Sequence, residues 1–192
     1  SIRMREGAVE GYVATSDTGG TISWKAPESL SFSSLATSGY LSLPATAADT
    51  IGTVVIDGKR FVHAYGNDNT FVGTNAGNTT MTGTKNVAMG ALAQNSLSSG
   101  TYNVAMGNNA LRETTSGSSN VALGSNALAL NTTGEYNVAT GTSTLSANTT
   151  GASNTALGHI SLGNNTTGSH NTSVGYSSQL SNTTGHYNTS FG

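Results

Sequence analysis

Cysteine is absent from the 192 residues, proline occurs only twice, and 8% of the chain is charged. Without cysteine there is neither a disulfide nor a thiolate metal site. An ordinary soluble domain is about 25% charged. Here 7 Lys and Arg stand against 9 Asp and Glu, for a formal net charge of −2. A surface that grips phosphates needs clustered Lys and Arg, so no nucleic-acid partner is expected. The near-neutral charge also argues against the repulsive composition that keeps chains disordered. No apolar run approaches the ~18 residues of a membrane-spanning helix, so no membrane insertion is expected. The opening SIRMREGAVE lacks the apolar stretch of a signal peptide. Hydrophobic residues reach 35%, below the usual ~45–50%. Gly, Ser, Thr and Asn fill the difference. Such a chain is poor in material for a conventional core, and long regular β-ladders are the common solution.

What is present is a period. Asn recurs at Asn69, Asn86, Asn103, Asn120, Asn137, Asn154, Asn171 and Asn188, always seventeen positions apart. Four positions later comes Gly: Gly73, Gly90, Gly107, Gly124, Gly141, Gly158, Gly175 and Gly192. A second Gly holds position fifteen of each complete unit, from Gly83 to Gly185. Seven full units and the opening NTSFG of an eighth follow one another without insertion. Periods of this kind mark solenoids.

Each unit reads as one coil. NVAMG or NVALG is a short strand, with Val and Met or Leu on one side and Ala on the other. The Gly at position five supplies the positive φ of a corner. A second short strand is expected next, with a small residue at position eight and Leu at nine (Leu111, Leu128, Leu145, Leu162), and NTTG closes the coil as a turn. A helix is disfavoured, since each of the two glycines per unit costs it about 1 kcal/mol. Stacking at ~4.8 Å per coil turns identical positions into columns. The Asn column is expected to bond amide to amide up the stack, as in cross-β structures, although Asn also serves simply as a turn former. Apolar material is thin, at positions two, four and nine with small residues at three and eight, so partner chains are expected to complete the core. The chain stops at Gly192, inside a unit, and the natural C-terminus is expected to lie beyond it.

Residues 1–68 lack the period and form a separate β-hairpin-rich connector in this reading, with 69–192 the solenoid. GYVATS and TISWKA flank a turn at Asp17 to Gly20, and TVVI and KRFVHAY flank Asp57-Gly58, a strong type I′ signal. Residues 26–50, with Pro27 and Pro44, read as a mixed connector, and a small β-domain shared between chains is the expectation there.

The units NVALGSNALALNTTGEY and NTALGHISLGNNTTGSH resemble the N-T-A-x-G-x-x-A-L-x-x-N-T-T-G repeats of viral and phage tail fibres, which often precede endosialidase-type self-cleaving chaperones. More distantly they are similar to the YadA-like head of trimeric autotransporter adhesins. GYVATSDTGGTISW resembles a stretch that often precedes such repeats. The resemblance implies a homotrimer of left-handed parallel β-rolls, serving as a spacer or receptor-binding fibre on a virion surface or phage tail. The period is longer than in the bacterial heads, and no chaperone segment is present in this sequence, so self-cleavage is not implied.

Catalysis is not expected. From residue 69 onward the charged residues are Lys85, Arg112, Glu113 and Glu135, with no carboxylate pair at glycosidase spacing and no nucleophile–base pairing. His63, His159, His170 and His186 show no metal-binding spacing, and neither a metal nor a cofactor is expected. Position seventeen carries Lys85, Tyr102, Ser119, Tyr136, Ser153, His170 and Tyr187. Tyr102, Tyr136, His170 and Tyr187 form a candidate binding stripe for a host glycan or protein receptor; turn decoration is the other reading. Asn-x-Thr sequons at Asn131, Asn148 and Asn165 follow from the turn sequence. The leading expectation is a structural and adhesive fibre segment. A bacterial adhesin head that binds host matrix, at the cell surface, and a glycan-cleaving tailspike are the alternatives.

Overall fold

The computed structural model describes residues 13–16, 22–25, 54–56 and 58–192. Among these the chain is all-β and contains no helix. It divides into two compact units, Ser1–Ser42 and Leu43–Gly192. In the first, β1 (Val13–Ser16) pairs antiparallel with β2 (Ile22–Lys25), Val13 opposite Lys25 and Ser16 opposite Ile22. The turn assigned to Asp17–Gly20 and the connector 26–50 lie outside the described residues.

The second unit is a single ten-stranded sheet in a β-solenoid with one strand per coil. It opens with β3 (Val54–Ile56) and β4 (Lys59–His63), antiparallel, with Ile56 opposite Lys59. Gly58 between them has φ +70°, the left-handed conformation that such a two-residue connection requires. β4 then pairs antiparallel with β5 (Thr70–Val72). This hairpin is therefore a rung of the solenoid sheet, and a boundary at residue 68 falls too late. The coil path itself starts earlier than Asn69. Asp68 has φ +58°, matching the +57° to +60° of every later position seventeen, and Lys85 N–H donates to Asn67 O at 3.2 Å.

From β5 onward the strands run parallel: β6 (Val87–Met89), β7 (Val104–Met106), β8 (Val121–Leu123), β9 (Val138–Thr140), β10 (Thr155–Leu157), β11 (Thr172–Val174) and β12 (Thr189–Phe191). Register advances by one period at every step, so Ala105 pairs with Ala122 and Ala122 with Ala139. The alternation of side chains across a strand decides which face is inside. Ala88, Ala105, Ala122, Ala139 and Ala156 at position three are fully buried. So are Ala93, Ala110 and Ala127 at position eight and Leu111, Leu128, Leu145 and Leu162 at position nine. Positions two and four, expected to feed the core, instead face outward: Val87 is 39% exposed, Met89 48% and Met106 42%. So short a coil encloses too small a cross-section for more than two small residues and one Leu per level. In the first coil the volumes are exchanged. Phe71 stands at position three, and Gly77 at position nine makes room, since a Cβ there would sit 2.5 Å from the Phe71 ring.

No second strand forms. Positions seven and nine adopt positive φ in every coil, for example Asn126 at +57° and Leu128 at +51°. Left-handed residues spaced two apart prevent three consecutive extended residues, although the bonds between coils persist. Leu128 N–H donates to Thr144 O at 3.0 Å, and Asn126 N–H donates to Asn108 O at 2.9 Å. A left-handed Leu costs about 1–2 kcal/mol, whereas burying its side chain contributes about 1.5–3 kcal/mol. Burial wins, and position nine keeps Leu against its own backbone preference.

Candidate functional site

Column seventeen is positioned by the Asn column that follows it directly. Asn137 shows the pattern. Its N–H and Nδ2 both donate to Asn120 Oδ1, at 3.0 and 3.1 Å. Nδ2 also donates to Gly151 O at 2.9 Å. Its own Oδ1 accepts from Asn154 N–H at 3.0 Å and from Asn154 Nδ2 at 3.1 Å. Both amide hydrogens and two acceptor sites are thus used, the full capacity of the side chain. The same bonds run from Asn69 through Asn86, Asn103, Asn120, Asn154 and Asn171 to Asn188. Asn86 to Asn154 are fully buried.

A change of one atom tests this spine. In Asn137→Asp a carboxylate would replace the amide, lose both donations and face Asn120 Oδ1 and Gly151 O with negative charge. The expected loss at neutral pH is on the order of 3 kcal/mol. Burial and the surrounding acceptors raise this acid's pKa in the folded state above its unfolded value. The folded state then holds the proton more tightly, so the deficit shrinks as pH falls. Thermal unfolding followed by circular dichroism at acidic and neutral pH reads the effect. An equal deficit under both conditions would show that the amide's donations are not what holds the column.

The glycine columns have two different causes. Gly73, Gly90, Gly107, Gly124, Gly141, Gly158 and Gly175 have φ between +125° and +144°, and Gly192 +98°. At position fifteen φ is ordinary, but a Cβ on Gly117 would lie 2.5 Å from Gly134 O in the next coil. There the requirement is close approach of backbones.

A second amide column, not anticipated from the sequence, runs at position twelve. Asn148 Nδ2 donates to Asn131 Oδ1 and Asn165 Nδ2 to Asn148 Oδ1, both at 2.8 Å, and Asn182 Nδ2 donates to Asn165 Oδ1 at 3.1 Å. Asn131, Asn148 and Asn165 are fully buried, so the sequons they head are closed to modification in the folded chain. The signal is the recurring NTTG, which reads as a turn; only four coils carry it, with Leu97 and Thr114 at the same position in earlier ones.

On this spine column seventeen projects outward. Its residues all have φ between +57° and +60°, and each N–H from Tyr102 to Tyr187 donates to the position-sixteen carbonyl of the preceding coil at 2.9–3.2 Å. Tyr102 is 57% exposed, Tyr136 62% and Tyr187 78%. Lys85 Nζ donates to the Tyr102 hydroxyl at 3.1 Å and lies 5.0 Å from its ring centroid. That hydrogen bond, aided by Coulombic attraction to the same side chain, raises the Lys85 pKa. His170 stacks on Tyr187, centroids 4.8 Å apart and planes 2° from parallel. One coil apart, two rings in this column touch. Two coils apart, as at Tyr102 and Tyr136, they are separated by a serine.

The other histidines lie elsewhere. His63 is buried beside Phe71 with Nε2 2.7 Å from Ala76 O. His186 Nδ1 accepts from Ser169 N–H at 3.0 Å. His159 stacks on the exposed Tyr176 at 5.4 Å, an aromatic pair in column six that stands in only two adjoining coils and so has no repeat signal. Among the described residues no three His, Asp or Glu side chains converge. Arg112 and Glu113 pair with each other at 2.8 Å on the surface.

Fold and columns together define a parallel β-solenoid repeat protein with an outward aromatic column. Comparison with protein-family models, with curated proteins and with solved structures returned no match.

Proposed function

We propose that this chain is a structural and adhesive fibre segment, a rigid homotrimeric spacer whose aromatic column meets a host-surface glycan or protein. It acts without catalysis, on a viral particle or phage tail. The location rests on the resemblance of the repeat units to tail-fibre repeats.

The observation that carries the assembly is the outer face of the sheet. Val87, Val104, Val121 and Val138 form one column there, and Met89, Met106, Leu123 and Leu157 stand in another, beside a surface with almost no charge. An apolar strip of this kind is unusual on a monomer. At least one of the two positions is apolar in every coil over seven steps, roughly 34 Å. A partner matches that pitch along its whole length when it has the same coil rise, and a second copy of the chain does. A closed ring of copies around an axis leaves no apolar edge, and the number three follows the resemblance to trimeric fibre repeats.

Light scattering of the purified chain should return three times the 19.3 kDa chain mass. Met89→Glu with Met106→Glu places charge on the strip without touching the coil interior, and the mass should fall to that of one chain. A monomeric wild type at micromolar concentration would sink the proposal. So would an assembly indifferent to both glutamates.

A further inference from the structure

The aromatic column is interrupted in a regular way. Reading up the stack, Tyr102 and Tyr136 flank Ser119, and Tyr136 and His170 flank Ser153. The outer walls are braced from behind, Tyr102 by Lys85 and His170 by Tyr187. Tyr136 alone has a serine on both sides. We propose that these are two slots, Tyr102–Tyr136 floored by Ser119 and Tyr136–His170 floored by Ser153, each taking one hexopyranose unit of a neutral polysaccharide. The proposal rests on the reading of column seventeen as a binding face and names what that face holds.

Width comes first. Adjoining rings in the column lie 4.8 Å apart, as His170 and Tyr187 show. Two steps therefore set the walls of each slot about 9.6 Å apart. A flat ring in carbon contact with both walls accounts for only about 7–8 Å. A pyranose chair is thicker, with C–H groups on both faces, and reaches both walls. The chemistry agrees. A sugar has apolar faces and a hydroxyl rim, and each slot has aromatic walls with a polar floor. The Ser119 and Ser153 hydroxyls have no hydrogen-bond partner among the described residues, which leaves them for the ligand. Glu135 lies next to Tyr136 in sequence and disfavours carboxylated sugars by like charge. The walls are preorganised too, because their backbone is fixed by the coil-to-coil bonds, so little ordering opposes binding.

The test is affinity electrophoresis of the full chain through gels containing α-mannan, dextran, β-1,3-glucan or galactan, with hyaluronan as the acidic control. At least one neutral polymer should retard the wild type, and hyaluronan should not. Tyr136→Ala removes the wall shared by both slots and should weaken retardation about tenfold or more. Ser119→Tyr with Ser153→Tyr fills both slots and should abolish it. These positions have the backbone that already carries Tyr at 102, 136 and 187, so the double variant folds, which its melting temperature checks. If no neutral polymer retards the wild type, the slots are overturned, while a protein receptor on column seventeen still stands. If Tyr136→Ala changes the oligomer mass, the column lies in the subunit interface and both readings fall. If the wild type is retarded and the filled variant binds equally or better, the column is a flat aromatic platform. The binding face then stands and the slots are overturned.

Discussion

Deleting residues 120–136 is expected to leave a folded chain of unchanged assembly state, shorter by ~4.8 Å, whereas deleting 120–128 should give a chain that aggregates or melts far earlier. The first deletion removes one whole period and joins Ser119 to Asn137. Asn137 then takes the bonds that Asn120 makes to Asn103 Oδ1, at 3.0 and 3.1 Å in the intact chain. Ala139 moves beneath Ala105, Gly141 beneath Gly107, and Val138 replaces Val121 on the outer strip. Every column stays in register because each coil bonds only to the coils on either side. The shorter deletion joins Ser119 to Ala129. Asn103 Oδ1 loses its amide partner, Asn131 falls at the inward position three, and Gly134 no longer lies against Gly117. All later coils inherit the same offset. Melting curves and light scattering on the two variants separate the outcomes. A fold with long-range contacts would order them the other way, since losing the larger piece of core harms it more. Equal damage from both would mean that the coil is not the unit of stability.

The second large effect is Gly124→Val, which should lower stability by about 4 kcal/mol or more, while Ser125→Val stays within about 0.5 kcal/mol. Gly124 has φ +144°, and an added Cβ would lie 2.5 Å from Gly141 O and 2.6 Å from its carbonyl carbon. Neither partner can retreat. Gly124 N–H donates to Met106 O and Gly141 N–H to Leu123 O, both at 2.8 Å. Conformational strain of about 1–3 kcal/mol therefore adds to a clash that spreads into both adjoining coils. At roughly 2–4 °C per kcal/mol for a chain of this size, the Val variant should melt about 10 °C lower or more. Ser125 projects at the half-exposed edge and should tolerate the change. Matching melting temperatures would show that the backbone stack at position five is not rigid.

How far the sequence carries follows from where identity, rather than pattern, encodes the structure. Asn and Gly at fixed positions of the period are identities, and the coil length and its columns can be read from them. The inward face cannot. A three-residue strand such as Val121–Leu123 is apolar on both sides, so alternation does not say whether Ala122 or its neighbours point inward. The corners at positions seven, nine and seventeen are equally hidden. They place Ile160, Leu145 and Tyr136 at φ of +58°, +51° and +58°, where such side chains are disfavoured alone and are held by the stack. In column seventeen, Tyr102, Tyr136, His170 and Tyr187 are visible as aromatics, but the two-coil spacing that Ser119 and Ser153 set between them depends on the coil rise. The amide column at position twelve is confined to Asn131, Asn148, Asn165 and Asn182, too few coils for the period to announce it.

Tension meets the parallel stack one coil at a time. A coil's worth of chain drawn straight reaches about 55–60 Å, yet each coil advances the axis by only ~4.8 Å. A pull along the axis loads the hydrogen bonds that join one coil to the next, such as Val121 N–H to Asn137 O. When a coil yields, its bonds let go in sequence, and about 50 Å of slack enters the tether before the next coil takes the load. The rod is thus stiff until a threshold force and extensible in uniform steps beyond it, a built-in shock absorber.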